Sequence, residues 1–154
     1  MKKRILYAYL PAAIILFLDQ FTKYLVERSL YLHQTVRVIG DFARITFIYN
    51  ERGLFGFSFG PNWIYYLLPF LGVFFVLYLI LRTHSKFYLL FLGIILGGGL
   101  GNIVDRFLRG RVVDFIDMGI GDFRWYTFNV ADASIVVSVI VILLKETFFK
   151  KAED

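Results

Sequence analysis

Residues 5–26 read ILYAYLPAAIILFLDQFTKYLV. At 22 residues the run is long enough to cross a bilayer, since about 20 apolar residues rising about 1.5 Å each match a hydrocarbon core of roughly 30 Å. Lys2, Lys3 and Arg4 precede it as they would a cleaved secretory signal, but no A-x-A-like site follows, and the run continues through Asp19-Gln20-Phe21-Thr22-Lys23. It is read as a retained transmembrane span that carries an acid and a base.

Working outward, further apolar runs occupy residues 63–81, 87–104 and 128–144. The expected architecture is an α-helical integral membrane protein, a four-transmembrane-helix bundle forming one membrane domain over 1–154. The composition agrees: 58% hydrophobic and 19% aromatic residues, with a mean hydropathy of +0.66, are too apolar for an ordinary soluble domain. With no cysteine, thiol catalysis, thiolate metal sites and a disulfide scaffold are excluded.

A net charge of +5 raises the question of nucleic acid, but in so apolar a chain it reads as an orientation signal. The tails and the short turn 82–86 hold eight Lys/Arg in 19 residues, against eight in the 59 residues of loops 27–62 and 105–127. The dense set is expected on the cytoplasmic side, with both termini, and the two long loops outside. In the first of these, Arg44-Ile45-Thr46-Phe47-Ile48-Tyr49 and Phe55-Gly56-Phe57-Ser58-Phe59-Gly60 alternate with the period of half-buried strands, and Gly40-Asp41 suits a turn ahead of them. A small β-sheet cradle on the outer face is expected. It either lies on the membrane surface with Trp125 and Tyr126 or caps the bundle as an ordinary hairpin.

Only Asp19, Lys23 and Asp132 among 29 charged residues fall inside the spans. Given the directions of the spans, these three gather at the outer end with Asn102, Asp105, Arg106, Asp114 and Asn129. Charge inside a membrane is costly and marks a functional candidate. His33 and His84 both lie away from the cluster, so neither a Ser-His-Asp triad nor a zinc site has its ligands. Two carboxyls in a poorly solvated site cannot both ionise cheaply, so one keeps a proton while its partner deprotonates water, which suits peptide hydrolysis. Asp114, flanked by Val112, Val113, Phe115 and Ile116, and Asp132, with Asn129 on the same helical face, are the candidates. The bland reading of Asp132 is a helix-start acid favoured by the dipole.

Asp19 and Lys23 have the spacing of an intrahelical ion pair, with the lysine snorkelling outward. Asp105, Arg106 and Arg109 read either as a solvated helix end or as groups with a substrate role, and Asp117 and Asp122 as solvated loop acids. Gly93, Gly97 and Gly101, with Gly98 and Gly99, form a close-packing face. Gly119-Ile120-Gly121-Asp122 matches a four-character GxGD protease signature but reads as a turn. A rival function is a small transporter or proton-conducting bundle relaying through Asp19, Lys23 and Asp132, although no polar residues continue through the inner half. A non-catalytic lipid-binding scaffold is a third.

The chain resembles the lipoprotein signal peptidases (signal peptidase II). The resemblance rests on Asp19-Gln20-Phe21-Thr22-Lys23, on Asn50 to Phe55-Gly56, on Gly98-Gly99-Leu100-Gly101-Asn102-Ile103-Val104-Asp105-Arg106, on Val112-Val113-Asp114-Phe115-Ile116-Asp117, and on Phe128-Asn129-Val130-Ala131-Asp132. It departs where the family writes Asn-x-Gly, because Asn50-Glu51-Arg52-Gly53 places glycine one position later. The resemblance implies a bacterial inner-membrane aspartic endopeptidase with a catalytic dyad at Asp114 and Asp132. Asp19, Lys23, Asn50, Gly98, Asn102, Asp105, Arg106, Asn129 and Ala131 would bind substrate or support the site. It also implies a diacylglyceryl-modified prolipoprotein substrate cut just before the lipidated cysteine, contact with membrane lipid, no metal or organic cofactor, no nucleic acid, and a monomer.

Overall fold

The structure, a computed structural model, describes residues 2–51, 61 and 63–149. Long helices form its body: α1 (Lys2–Ser29), α2 (Ile64–Arg82), α3 (Lys86–Arg109) and α4 (Val130–Phe149). By length and composition α1, α2 and α3 are able to cross a membrane. Outward-facing Phe17, Phe74, Phe75 and Leu143 are all more than half exposed, a surface suited to lipid and not to water. Within α1 the backbone widens to π geometry over Ile5–Tyr9, just ahead of Pro11. Proline cannot donate the next helical hydrogen bond, and local rewinding accommodates that loss.

α3 is the central helix, with 44% of its apolar window buried against 17% and 22% for α1 and α2. Its glycines explain why. A Cβ at Gly97 would overlap the Ala12 carbonyl of α1, and one at Gly98 would overlap the Ala131 carbonyl of α4. α3 therefore brings two neighbours to near backbone contact on different faces. Ala8, Ala12, Val76, Ile80, Leu89, Leu92 and Leu96 form the core at the end away from the sheet.

The helix α3 runs on past the expected limit at residue 104 and stops at Gly110, whose φ of 72° is left-handed and whose N–H returns to the Arg106 carbonyl. The expected loop 105–127 is thus helix at its start. Asp105 and Arg106 are buried, not solvated: Lys23 and Arg109 pair with the Asp105 carboxylate, and Arg106 donates to the Asn102 carbonyl. Further along, β3 (Val112–Ile120) and β4 (Phe123–Arg124) follow, joined by a turn at Gly121-Asp122, so the GxGD segment is a turn only in its second half: Gly119 and Ile120 end β3 and pair with Arg124 and Phe123.

β3 pairs antiparallel with β2 (Ala43–Asn50), from Ala43 opposite Met118 to Asn50 opposite Val112, and the sheet order is β1 (Thr35–Ile39), β2, β3, β4. The alternating stretch 44–49 is therefore a strand, preceded by a turn at Gly40. The second alternating stretch, 55–60, and Gly53 lie outside the described residues. β3 escaped the alternation test because Val112, Val113, Asp114 and Phe115 are all buried, so both faces of its first half are covered. Val26, Phe47, Val113 and Phe115 pack together and fix the sheet to α1. This places the start of β3 over the ends of α1 and α3 and the beginning of α4.

Candidate active site

The site is built around the first turn of α4. The Asn129 side-chain oxygen accepts from the Asp132 N–H at 2.9 Å, and the Asn129 N–H donates to Asp132 Oδ2 at 3.4 Å. This is a reciprocal cap that satisfies helix-end donors and fixes the Asp132 rotamer. From α1, Asp19 Oδ1 accepts the Ala131 N–H at 2.9 Å, placing a second acceptor at the same helix start.

Asp114 enters from β3, buried to 2% exposure. Its Oδ1 accepts from Asn129 Nδ2 at 2.7 Å and its Oδ2 from Asn50 Nδ2 at 3.0 Å. Asp132 Oδ1 accepts from Asn102 Nδ2 at 2.7 Å, and Asn102 Oδ1 accepts from Asn129 Nδ2 at 3.1 Å. The two aspartates are thus braced through one pair of asparagines, from α3 and from the start of α4. Burial above all, and the Asp132 charge next, push the Asp114 carboxyl from its ordinary 3.8 up to about 7, while the hydrogen bonds from Asn50 and Asn129 oppose the rise. Asp114 and Asp132 both line a cavity of about 250 Å³ with Asn50, Asn102, Arg106, Trp125, Tyr126 and Thr127.

Beneath them Lys23 is completely buried and does not snorkel. Its ammonium donates to Asp19 at 2.7 Å, Asp105 at 2.9 Å and Asn102 at 3.1 Å. Three donors meet three acceptors, so the charge is both paired and fully hydrogen-bonded. A Cβ at Gly101 would overlap the Asp19 carboxylate, which makes that glycine a condition of the cluster. Arg106 donates to the Asn102 carbonyl at 3.1 Å and lies on the cavity wall.

Every candidate among Asp19, Lys23, Asn50, Gly98, Asn102, Asp105, Arg106, Asp114, Asn129, Ala131 and Asp132 falls in this region. Asp117 does not: it is buried within the sheet, in an ion pair with Arg124 of β4 at 2.7 Å, with Thr46 of β2 donating to it at 2.9 Å. The expectation of a solvated acid there is overturned, because Arg124 from β4 folds back over it. Gln20, whose amide donates to Asp105 at 2.9 Å and to the Gly101 carbonyl at 3.1 Å, went unassigned in the sequence. Its i+1 position beside Asp19 was the available signal. Among the described residues no group of three or more His, Cys, Asp or Glu side chains is arranged to hold a metal ion.

Such an arrangement can activate water between an ionised and a protonated carboxyl. Residues 11–148 match the family model described as signal peptidase (SPase) II. The lipoprotein signal peptidase of Syntrophus aciditrophicus is 36% identical over 151 residues, covering 94% of each chain. That of Geobacillus thermodenitrificans is 36% identical over 147 residues, covering 94% of this chain and 92% of the relative. A solved bacterial membrane enzyme superposes with a TM-score of 0.80 at 30% identity, covering 92% of this chain and 89% of the other. A second solved structure gives 0.76, again at 30% identity. These matches lend no support to a transporter. With its long apolar helices, this chain is a multi-pass membrane protease that belongs to the signal peptidase II family.

Proposed function

We propose that the chain is an aspartic endopeptidase that removes the signal peptide from diacylglyceryl-modified prolipoproteins, cutting just before the lipidated cysteine. The observation that carries this reading is the pair of carboxyls, Asp114 and Asp132, lining one cavity and cross-braced by Asn129 and Asn102. One proton is shared by the pair. The ionised member takes a proton from water as its oxygen attacks the scissile carbonyl carbon. The protonated member hydrogen-bonds the carbonyl oxygen and gives its proton toward the departing amine as the C–N bond breaks. The raised Asp114 carboxyl supports a proton resident in the site at neutral pH.

α4 completes a four-span bundle in this reading, and the chain acts as a single membrane unit and a monomer. At the end away from the sheet Arg4 donates to the Ile80 carbonyl near Arg82, Lys86 lies over Tyr7 and Lys145 over Phe87. This basic end, with Lys2 and Lys3, supports a cytoplasmic placement for it and an outward-facing cavity across the bacterial inner membrane. A second, apolar groove of about 250 Å³ runs from Asp132 and Arg106 between Leu68, Gly72, Val76 and Ile135. It suits lateral entry of an apolar signal segment or an acyl chain. Incubation with a diacylglyceryl-modified precursor and its unlipidated counterpart, with mass measurement of the products, tests this: only the lipidated form is cut, and the new amino terminus is its modified cysteine. Equal cleavage of both forms contradicts the assigned substrate.

A further inference from the structure

Glu27 lies one helical turn beyond Lys23 on α1, outside the cavity wall, yet it joins the two halves of the site. Arg109 forks onto the carboxylate, its Nε donating to Oε1 at 3.1 Å and its Nη2 to Oε2 at 3.0 Å, and Oε1 also accepts from the Tyr49 hydroxyl at 3.2 Å. On one side the chain continues from Arg109 to Asp105 at 2.8 Å, Asp105 to Lys23 at 2.9 Å, Lys23 to Asn102 at 3.1 Å and Asn102 to Asp132 at 2.7 Å. On the other, Tyr49 immediately precedes Asn50, whose amide holds Asp114 at 3.0 Å. Arg111 covers the Tyr49 ring at 3.6 Å from its centroid and so holds the ring over Glu27.

β2 and α3 come from distant parts of the sequence, and the asparagines that orient the two aspartates sit on them. We infer that Glu27, with Arg109, is a positioning residue that fixes β2 against α3 and thereby sets the separation of Asp114 and Asp132. The Glu27 and Arg109 side chains are 22% and 21% exposed. An isolated pair at that exposure contributes little, but a guanidinium held by two parallel bonds has its orientation fixed as well as its charge.

The inference rests on the dyad reading. It is tested by steady-state cleavage of a lipidated precursor by Glu27→Ala, Arg109→Ala and the double variant, with Asp114→Asn as a control. A positioning role lowers kcat about tenfold to hundredfold in each single variant with KM within about twofold, because misplacement by an ångström is felt in the chemical step. The double variant is no worse than either single one, since both break the same link. Glu27→Gln, which keeps an acceptor for Tyr49, loses less than Glu27→Ala. Should Glu27→Ala fail to fold, Tyr49→Phe removes one link alone and is expected to lower kcat with KM unchanged. Unchanged kcat in a folded Glu27→Ala or Tyr49→Phe, or losses that multiply in the double variant, overturns the inference. Turnover retained by Asp114→Asn defeats the dyad itself, whereas an inactive Asp114→Asn beside a normal Glu27→Ala defeats only the positioning role.

Discussion

Asn129 holds Asp114 at 2.7 Å through its side-chain amide while its side-chain oxygen caps the helix that carries Asp132. One residue therefore serves the helix start and both carboxyls. Asn129→Asp keeps the capping oxygen but replaces a donor to Asp114 with a further acid. Asn129→Ala loses both, at a stability cost of about 1 kcal/mol for the cap. Thermal unfolding temperature in detergent is expected to fall for both variants, for Asn129→Ala through the lost cap and for Asn129→Asp through a third acid buried beside Asp114 and Asp132, and both lose most of their cleavage activity.

Lys23 bridges Asp19 and Asp105, and all three side chains are fully buried. Lys23→Met leaves two buried carboxyls without their ammonium, a change that typically costs about 3–5 kcal/mol. A large fall in unfolding temperature is expected, larger than that of Arg37→Met, whose pairing with Asp41 is exposed. Equal effects of the two substitutions would count against the buried cluster as a structural centre.

The pH dependence follows from Asp114. Its carboxyl is raised to about 7, so the pair holds its shared proton below that pH and loses it above. Activity is expected to fall as pH rises through about 7. The Asn50 amide favours the ionised form of Asp114, so Asn50→Leu should raise the carboxyl further and move this alkaline limb to higher pH. Rate profiles of the two proteins check the sign, and a shift to lower pH would contradict it.

Gly101 and Gly72 separate packing from helix propensity. A Cβ at Gly101 meets the Asp19 carboxylate, while at Gly72 it meets nothing within 4 Å. Gly101→Ala is expected to destabilise by about 1–3 kcal/mol through overpacking. Gly72→Ala should be neutral or stabilising by roughly 0.5–1 kcal/mol. Unfolding temperatures of the two variants decide the matter.

The long apolar runs, and the charges stranded in them, were readable because composition alone makes Asp19, Lys23 and Asp132 exceptional. Strand β2 was readable from its alternation, since Ile45, Phe47 and Tyr49, two residues apart, pack into the cluster that fixes the sheet to α1. The limit of α3 was not: Asp105, Arg106 and Arg109 look like a solvated end until Lys23 and Glu27, some 80 positions away, are brought to them. The resemblance named most of the cluster, but sequence spacing along one chain carries no information on Asn129 bridging Asp114 to Asn102. Glu27 gave no signal because a single acid near the end of an apolar run is common, and only the fold supplies its partners Tyr49 and Arg109.

The most direct test of the catalytic pair is the rate at which purified Asp114→Asn and Asp132→Asn proteins cleave a diacylglyceryl-modified precursor, with unfolding temperature measured on the same samples. Each variant is expected to fold and to lose at least about a thousandfold in kcat, since neither remaining carboxyl can supply both base and acid. Turnover near that of the wild type in either folded variant would contradict the dyad.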